Sequence, residues 1–383
     1  MDATSHIELS ESALKNNFDY LRKLIGPDRI ISHVVKGNAY GHGIEQYVPL
    51  AHKLGVQHFS TFDASEAYRV KKLLPETTPV MIMGMIAQDQ LEWAIEKRVE
   101  YFVFNFDRLE KSIEIAKRIG KKARVHLELE TGMNRTGFDN ANRKKLVEVL
   151  QTNLKWLELK GICTHYAGAE SYANFMRIQQ QLKSFKEQKE IFEKQGLKPE
   201  KYHTACSAAA IRLPQTRMDM VRIGILQYGF WPSRETYITT IQPDKIESQD
   251  PLQRVISWKS RIMSVKEIPQ GEYVGYGSSF LTSYKMKIAT VPVGYGHGFS
   301  RSLSNTGRAL VRGERVQVAG TVNMNLIMLD VTNINVEVGD EVVLIGNQKN
   351  NNISVSSFSE YSDQLNYELL TRLPHDIPRH VVA

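Results

Sequence analysis

Through the first ~235 residues, short apolar runs alternate with longer amphipathic stretches, and this alternation restricts the fold more than any other feature of the chain. Apolar runs separated by helical periodicity predict parallel strands joined by crossover helices. We place eight strands, near residues 30–35, 57–62, 79–84, 99–104, 123–130, 157–164, 201–206 and 219–222. Eight strands alternating with helices predict an α/β fold of the (β/α)8 TIM-barrel type. A doubly wound open sheet is the alternative, although it would usually have fewer strands and a glycine-rich first turn.

Local signals support the helices between these strands. Asp63 and Asp107 favour helix starts, whereas Gly55 and Gly120 favour helix ends. The connection at 213–217 has room for only a turn or two. The predicted crossovers therefore have recognisable beginnings and ends.

The pattern changes after about residue 240. Segments such as RVISWKSRIMSVKEI, RALVRGERVQVAGTV and DEVVLIG alternate apolar with polar residues, which is typical of antiparallel strands with one buried face. We predict a barrel domain over residues 1–238, whose first ~10 residues could pair with the second domain, and a mostly antiparallel all-β domain over 239–383. The polar segment 233–251 is interpreted as a linker, and QKNNNIS at 348–354 as an exposed loop.

Composition excludes several functional classes. The formal net charge is +7, but the basic residues are dispersed rather than gathered in a stripe, so nucleic-acid binding is not expected. There is no run of eighteen or more apolar residues, so no membrane span is expected. The start, MDATSHIELSESALKNNF, lacks the basic-then-apolar order of a signal peptide. The two cysteines, Cys163 and Cys206, fit a reducing compartment, and we predict a cytoplasmic protein without a metal site.

Candidate catalytic and binding residues lie where the predicted barrel strands end, which is where such barrels place their catalytic groups. These residues are Lys36 after strand one, Glu128, Glu130 and Arg135 after strand five, His165 after strand six, Ser207 after strand seven, and Arg222, Gly224 and Ile225 at strand eight. Each alone has an ordinary explanation: the lysine could point into water, the histidine could be a core residue, and the arginine could be half of an ion pair. Their convergence on one rim predicts an active site.

The stretch HVVKGNAYGHG carries an apolar strand into a lysine and then into a turn with three glycines. A strand-end lysine whose pKa is depressed can form a Schiff base with an aldehyde. Backbone amides after strands seven and eight, beside the Ser207 hydroxyl, can hold a phosphate. An aldehyde and a phosphate on one small molecule indicate pyridoxal 5′-phosphate (PLP), attached to Lys36, with the glycines allowing a tight turn.

The same stretch resembles the cofactor-binding signature of the alanine racemases, which are barrel-fold PLP enzymes. The resemblance continues through ETGMNRTGF, GICTHYAG, HTACSAA, DMVRIGILQYG, EYVGYGS, VPVGYGHGFSR, VAGTVNMNLIMLDVT and QLNYELLTRLP. These blocks run in order from residue 33 to residue 374 and so cover nearly the whole chain. The resemblance implies an amino-acid racemase (an isomerase) with alanine as the expected substrate. Its role would be D-alanine biosynthesis for the cell wall, with catabolism of D-amino acids as the alternative.

The resemblance also implies which residues transfer protons. Lys36 would bind PLP and act as one base, and Tyr276, in VGYGS, would be the second base on the opposite face of the substrate. Racemisation needs both, because one base removes the α-proton and the other returns it from the far side. A tyrosine with a pKa of about 10 is a poor base at neutral pH, so a relay of His165 and Arg222 would stabilise its phenolate. Arg222 would also face the pyridine nitrogen and keep it unprotonated, which discourages transamination.

Further residues follow from the same resemblance. Arg135 would bind the substrate carboxylate, and Tyr295 and Met324 would line the substrate pocket. In this family the β domain of one subunit completes the other subunit's site, so a homodimer is implied in which the partner supplies Tyr276, Tyr295 and Met324. Besides Lys36, His165 and Arg222, the positions that match the cofactor site are Tyr40, Ser207, Gly224, Ile225 and Tyr367. For the two tyrosines among them, aromatic packing at a domain surface is the alternative.

The chain departs from the family pattern at four positions that bear on the substrate. Glu128 stands where many members have a lysine that can be carbamylated, and its carboxylate could orient Arg135 without modification. Asn325 replaces an acidic residue, His297 adds a possible cation near the entrance, and Cys206 stands where asparagine is usual. None of these removes a proton-transfer residue, but they leave the choice among alanine, serine and a basic amino acid open.

Two functions other than racemisation are open at this stage. A barrel-fold PLP decarboxylase acting on basic amino acids also pairs a barrel with a β domain, but such enzymes generally have an acidic residue where this chain has Arg222. A non-catalytic PLP-binding protein built from the barrel alone would lack the β domain and the second base, Tyr276.

Overall fold

The computed structural model describes residues 3–240, 250–355 and 366–383, whose contacts divide into two compact units. The barrel unit comprises Leu14–Lys36 and Val48–Gln253. The β unit comprises Met1–Ala13, Gly37–Tyr47 and Arg254–Ala383. The chain therefore leaves the barrel unit directly after Lys36 and re-enters it at Val48.

The described residues form strands and helices that are numbered here in chain order. The strands are β1 (Ser5–Ser10), β2 (Ile30–Val34), β3 (Phe59–Thr61), β4 (Val80–Ile82), β5 (Glu100–Val103), β6 (Ala123–Glu128), β7 (Leu157–Cys163), β8 (Tyr202–His203), β9 (Met220–Ile223), β10 (Ile256–Arg261), β11 (Ser264–Ile268), β12 (Met286–Val291), β13 (Arg308–Val311), β14 (Glu314–Gln317), β15 (Ile327–Asp330), β16 (Glu341–Gln348), β17 (Asn351–Ile353) and β18 (Arg379–Val382). The helices are α1 (Glu11–Ile25), α2 (Ile44–Lys53), α3 (Ala64–Leu73), α4 (Gln88–Glu96), α5 (Phe106–Ile119), α6 (Arg143–Asn153), α7 (Phe175–Lys194), α8 (Ser207–Arg212), α9 (Arg234–Thr240) and α10 (Asn366–Thr371). None of these helices has the length and hydropathy that a membrane span requires.

The barrel unit is built on one sheet of eight parallel strands, β2 to β9. Neighbours pair in chain order from β2 to β8, and β9 pairs back onto β2. Between β8 and β9 the sheet is closed by hydrogen bonds from Arg222 N to Ala205 O (3.0 Å) and from Asp219 N to Tyr202 O (3.1 Å). The closed sheet confirms the predicted barrel, and each predicted strand overlaps an observed one. The first seven contain the observed strand entirely, whereas β9 ends one residue beyond the predicted 219–222.

Side-chain caps decide where the barrel helices begin. α3 starts after Asp63, whose carboxylate accepts a backbone hydrogen bond of 2.8 Å, as predicted. α5 starts after Asn105 rather than at Asp107, because the Asn105 side chain accepts the capping hydrogen bond (3.0 Å). Asp107 lies in the first turn, where its negative charge is favourable near the helix N-terminus. The short connection at 213–217 holds one 3₁₀ turn, Pro214–Thr216.

The β unit contains two sheets. The larger has the order β14-β13-β16-β10-β1-β18 with β17 on β16, and the smaller has the order β11-β12-β15. The β1 strand pairs antiparallel with β10 and parallel with β18, so the N-terminal segment completes this sheet. The predicted loop at 348–354 is instead a hairpin, because Lys349 adopts a left-handed φ of 52° that lets β17 fold back on β16. In the predicted linker, 234–240 is helical and 241–249 lies outside the described residues, so the domain boundary at 238–239 stays a prediction.

A left-handed turn follows Lys36. Gly37, Asn38 and Ala39 have φ of 62°, 54° and 55°, and the positive φ continues through Tyr40 and Gly41. The turn is held within the β unit: Arg379 donates to Gly41 O from Nε (3.0 Å) and Nη2 (2.9 Å). A Cβ atom at residue 41 would lie 1.8 Å from the Leu370 carbonyl oxygen, so only glycine fits there. The glycines of HVVKGNAYGHG therefore permit a backbone that ordinary residues avoid.

Candidate active site

Lys36 follows β2 after one intervening residue, Val35, at the carboxyl end of the barrel strands. The preceding amide, Val35 N, donates to Ser60 O (2.8 Å) and ties this strand end to β3. Burial lowers the pKa of the Lys36 amine, and the positive charge of Arg135 lowers it further. A lysine with a lowered pKa keeps more of its amine unprotonated and nucleophilic at neutral pH, as covalent attachment of an aldehyde requires.

Arg222 lies on β9 with only 5% of its surface exposed. Its Nη1 donates to His203 O (2.9 Å) and to the His203 ring, and its Nη2 donates to Thr164 O (2.8 Å) and Thr204 O (3.2 Å). Within the described part of the chain it forms no ion pair, and its Nε has no hydrogen-bond partner. Arg222 is thus a fixed, buried cation with one N–H left to donate.

His165 follows β7 beside Arg222. Its Nδ1 lies 3.5 Å from Arg222 Nη2, which can only donate, so Nδ1 is the acceptor and the ring proton lies on Nε2. Burial lowers the pKa of His165 to about 3, and the charges of Arg222, Arg135 and Lys36 act in the same direction. His165 is therefore a neutral imidazole at pH 7 that presents an Nε2–H donor. The charges of Lys36, Arg135 and Arg222 all act on it.

Ser207 and Gly224 meet where β8 and β9 end. Gly224 N donates to Ser207 Oγ (2.9 Å), which leaves the serine proton free to donate to a further oxygen. Ile225 begins the 3₁₀ turn Ile225–Tyr228 directly after Gly224. The three predicted phosphate-site residues of the barrel unit are therefore adjacent.

Glu128 is buried at the end of β6, and its Oε2 accepts a hydrogen bond from Thr136 Oγ1 (2.8 Å). Burial raises the pKa of Glu128, while the Thr136 hydrogen bond and the Arg135 charge act in the opposite direction. Among the described residues Glu128 and Arg135 do not come within ion-pair distance, so orientation of Arg135 by Glu128 stays a prediction. The Glu128 carboxylate is held by the hydrogen bond from the Thr136 hydroxyl.

Tyr276 stands in a loop of the β unit with 74% of its surface exposed. Gly275 and Gly277 on either side of it have φ of 78° and 66°. Thr321 Oγ1 donates to Tyr276 O (3.2 Å), which anchors the loop backbone while the phenol projects into solvent. Tyr276 has the highest exposed fraction of the large hydrophobic side chains that the structure describes.

Tyr295 and Met324 lie on two loops that bind each other. Tyr295 N donates to Asn323 O (3.0 Å), and Gly296 N donates to Met324 O (2.8 Å). A Cβ atom at Gly294 would lie 2.1 Å from Asn323 O, so the close approach requires glycine. The Tyr295 and Met324 side chains are 41% and 57% exposed, so this pair of loops also presents apolar surface.

Tyr40 and Tyr367 pack edge to face in the β unit, with ring centroids 6.2 Å apart and planes at 71°. Edge-to-face contact is the geometry predicted by the alternative interpretation of these tyrosines, aromatic packing at a domain surface. A phosphate contact by their hydroxyl groups stays a prediction. The described residues contain no group of three or more His, Cys, Asp or Glu side chains able to hold a metal ion.

Family models match both units of the chain. Residues 9–232 match the model of the alanine racemase N-terminal domain, and residues 255–381 match that of the alanine racemase C-terminal domain. The chain belongs to the alanine racemase family. The predicted family resemblance is thereby confirmed over nearly the full length.

Relatives and solved structures of alanine racemases agree with this membership. The alanine racemase of Leptospira interrogans (serovar copenhageni) is 34% identical over 380 residues, covering 99% of this chain and 96% of the relative. The alanine racemase structure from Streptomyces coelicolor A3(2) superposes with a TM-score of 0.91 at 29% identity, covering 99% of this chain and 98% of that one. A Bartonella henselae alanine racemase with covalently bound pyridoxal phosphate superposes with a TM-score of 0.84 at 26% identity, and both chains are covered completely.

Thr136 and His203 are not among the site residues predicted from the sequence. Thr136 contacts Glu128, and His203 contacts Arg222. Both lie inside blocks that carry the resemblance, ETGMNRTGF and HTACSAA. His203 could have been found from its position as the last residue of a barrel strand, where side chains point inward or toward the rim. Thr136 has no such signal, because its role depends on how the loop folds back toward Glu128.

Proposed function

We propose that this chain is a PLP-dependent amino-acid racemase that interconverts L-alanine and D-alanine. The observation that carries the proposal is that one barrel rim holds both Lys36, whose pKa is lowered, and a buried arginine held by neutral acceptors. The first can bind an aldehyde, and the second is a cation where a decarboxylase would need an acid. Membership of the alanine racemase family supports the same reaction.

The barrel residues fit the cofactor that this reaction needs. Lys36 supplies an amine for covalent attachment, and the Ser207 hydroxyl, already bonded to Gly224 N, keeps a proton for a phosphate oxygen. Arg222 Nε supplies a donor for the pyridine nitrogen. When bound, PLP supplies the electron sink that stabilises the negative charge left on the substrate α-carbon after proton removal.

Arg222 controls how strong that sink is. A guanidinium keeps its proton in a protein. It can therefore donate a hydrogen bond to the pyridine nitrogen but cannot protonate it. By leaving that nitrogen unprotonated, Arg222 would favour return of the proton to the α-carbon, which is racemisation, over transamination.

Two bases move the α-proton in our proposal. Lys36 and Tyr276 of the partner subunit act on opposite faces, one removing the proton and the other returning it. His165 supports the tyrosine: its neutral ring offers Nε2–H as a donor that favours the phenolate. The nearby charge of Arg222 acts in the same direction.

Substrate binding follows from charge and size. Arg135 would hold the substrate carboxylate by a charge-assisted contact. Tyr295 and Met324 of the partner subunit would close the pocket around a small side chain. Alanine fits this assignment, and serine is the second candidate because an added hydroxyl is poorly rejected by an apolar pocket.

A homodimer with shared sites is part of the proposal. Tyr276, Met324 and Tyr295 are exposed by 74%, 57% and 41% in the single chain, although all three are implied to line a substrate pocket. Burial against a second copy would resolve this exposure. The two cysteines, Cys163 and Cys206, are unpaired, which is in keeping with action in the reducing cytoplasm.

The test is product analysis. The purified protein with PLP is incubated with L-alanine, L-serine, L-lysine, L-arginine and L-glutamate separately, and D-enantiomers are quantified by chiral chromatography while released CO₂ is measured. We expect D-alanine to form fastest and no CO₂ to be released. The Lys36→Ala variant should lose both the conversion and the visible absorption of the lysine-bound cofactor. Release of CO₂ would favour a decarboxylase, and cofactor binding without conversion would favour a carrier protein.

A further inference from the structure

A chain of buried hydrogen bonds crosses the inside of the barrel from Arg222 to Glu100. The Arg222 Nη1 donates to His203 Nδ1, His203 Nε2 lies 2.8 Å from His126 Nδ1, and His126 Nε2 lies 2.9 Å from Glu100 Oε2. These residues come from β9, β8, β6 and β5, and the two histidines and the glutamate have no exposed surface. We call these four residues the Arg222–Glu100 chain. Each of the four side chains has a hydrogen-bond partner within the chain, as buried polar groups generally require.

A glycine in β7 lets the two histidines of this chain meet. β7 runs between β6 and β8, and a Cβ atom at Gly161 would lie 2.2 Å from His126 Nδ1 and 2.8 Å from His203 Nε2. The pairing of β6 with β7 also shifts register directly before His126. A side chain at position 161 would occupy the space between the rings, so the contact depends on the backbone of all three strands.

The carboxylate acceptor determines which ring nitrogen of each histidine in the Arg222–Glu100 chain carries a proton. An ionised carboxylate can only accept, so His126 carries its proton on Nε2 and its Nδ1 is an acceptor. His203 then donates from Nε2 to His126 Nδ1, which leaves His203 Nδ1 as the acceptor for Arg222. Burial lowers the pKa of both histidines, so each has one ring proton at neutral pH.

Two further groups hold the Glu100 end. Arg124 Nη2 lies 3.0 Å from Glu100 Oε1, and His58 Nε2 lies 3.4 Å from Oε2. Burial alone would raise the pKa of Glu100, but hydrogen bonds and charge from His126 and His58 outweigh it and hold the pKa well below its usual value. Glu100 is therefore an anion whose charge is balanced by Arg124. This ion pair lies at the opposite end of the Arg222–Glu100 chain from Arg222.

We propose that Glu100 is a positioning residue for the racemase reaction: through His126 and His203 it selects the histidine tautomer that accepts from Arg222 and so fixes the orientation of the guanidinium. The opposite tautomer of His203 would point Nδ1–H at Arg222 Nη1–H, two donors in contact, and would displace the arginine. This role rests on the proposed function, because the proposed function is what requires a fixed guanidinium at the pyridine nitrogen. Glu100 itself touches neither substrate nor cofactor in this proposal.

Glu100→Gln provides a sharp perturbation because it keeps the shape of the side chain and changes its donors. Arg124, a charged donor, will take the amide oxygen, since charge-assisted hydrogen bonds are the stronger ones. The amide NH₂ then faces His126 Nε2, which must become an acceptor. Both histidines reverse their tautomers as a result, and Arg222 loses the His203 ring nitrogen as an acceptor. Glu158→Gln is the matched control, because Glu158 also pairs with Arg124 (3.3 Å) but does not contact His126.

The first readout is the tautomer of His203 in the apoprotein, from long-range ¹H–¹⁵N NMR of histidine-labelled protein. We expect Nε2–H in the wild type and in Glu158→Gln, and Nδ1–H in Glu100→Gln. The second readout is steady-state kinetics of the loaded enzyme. For Glu100→Gln we expect kcat to fall on the order of 10- to 100-fold, the range typical of outer-shell partners, with KM within about twofold of the wild type.

The outcomes separate the positioning role from the proposed function. A wild-type His203 protonated on Nδ1 overturns the positioning role even if Glu100→Gln does not fold. A reversed tautomer with unchanged kcat, or a reduced kcat with an unchanged tautomer, also overturns it. A wild-type protein that forms no lysine-bound cofactor overturns the proposed function and the task of Arg222 with it, whatever the tautomers are.

Discussion

The structure predicts that acid will lower the stability of this protein well above the pH at which carboxylates titrate. Two buried histidines and the partly buried His165 have lowered pKa values: His33 to about 4, and His42 and His165 to about 3, with desolvation as the largest cause. In the unfolded chain each has a pKa of about 6.5, so the unfolded state binds protons that the native state does not. The stability of the native state therefore falls as the pH drops below about 6.5, and it continues to fall toward the folded-state values.

The magnitude follows from linkage. Between pH 7 and pH 5.5, a histidine that titrates at about 6.5 when unfolded and stays neutral when folded costs about 1.2 kcal/mol of stability. Three such groups together cost about 4 kcal/mol, a large part of the 5–15 kcal/mol that holds a typical domain together. Burial lowers the pKa of His126 and His203 as well, so both act in the same direction.

The assay is urea unfolding of the apoprotein at pH 7 and pH 5.5, followed by far-UV circular dichroism and tryptophan fluorescence. His33 donates from Nδ1 to Gln227 Oε1 (2.7 Å), and the amide of His33→Asn can make the same contact without titrating. That variant should lose about 1.2 kcal/mol of the pH dependence, whereas replacing the exposed His380 by Asn should leave it as in the wild type. Equal unfolding free energies at the two pH values, or a full pH dependence in His33→Asn, would refute the linkage.

Three further predictions concern the site and its frame. Gly41→Ala should destabilise the β unit by clearly more than the roughly 1–2 kcal/mol of a left-handed residue, because its Cβ would also meet the Leu370 carbonyl oxygen at 1.8 Å. Gly120→Ala, with φ 69° but open space, should cost only about 1–2 kcal/mol. Thermal unfolding of both variants tests this difference. Tyr276→Phe should lower kcat on the order of 10²- to 10⁴-fold while the cofactor still binds, which a kinetic and spectroscopic comparison with the wild type would show. Light scattering should give a dimer, and substituting exposed Met324 by Glu should weaken it and lower activity in parallel; a monomer with full activity would contradict shared sites.

The sequence predicted the barrel well because its eight strands and their crossovers obey local periodicity. It predicted less well where a competing local residue decides the outcome, as at Asn105, which caps α5 in place of Asp107. It failed at β17, where one left-handed residue, Lys349, turns a polar stretch into a hairpin. Such a residue has no periodic signal.

The candidate site was predictable as a set of residues but not as a set of contacts. Lys36, His165 and Arg222 could be chosen from strand ends, because a barrel brings those ends together. Thr136 and the Arg222–Glu100 chain could not. The Thr136 contact depends on how a loop folds back to Glu128, and the Arg222–Glu100 chain joins strands as far as 77 residues apart in the sequence. The same is true of the left-handed turn, which depends on Arg379 at the other end of the sequence.

That turn has a stereochemical consequence. A run of residues at φ and ψ near +55° and +48° is the mirror image of ordinary right-handed helix, and it costs an L-residue roughly 1–2 kcal/mol at each position. A D-residue prefers this region for the same reason that an L-residue avoids it. Semisynthesis with D-alanine at position 39 should therefore relax the backbone where natural Ala39 strains it. A member of the alanine racemase family thus holds one of its own alanines in the conformation that the opposite enantiomer favours.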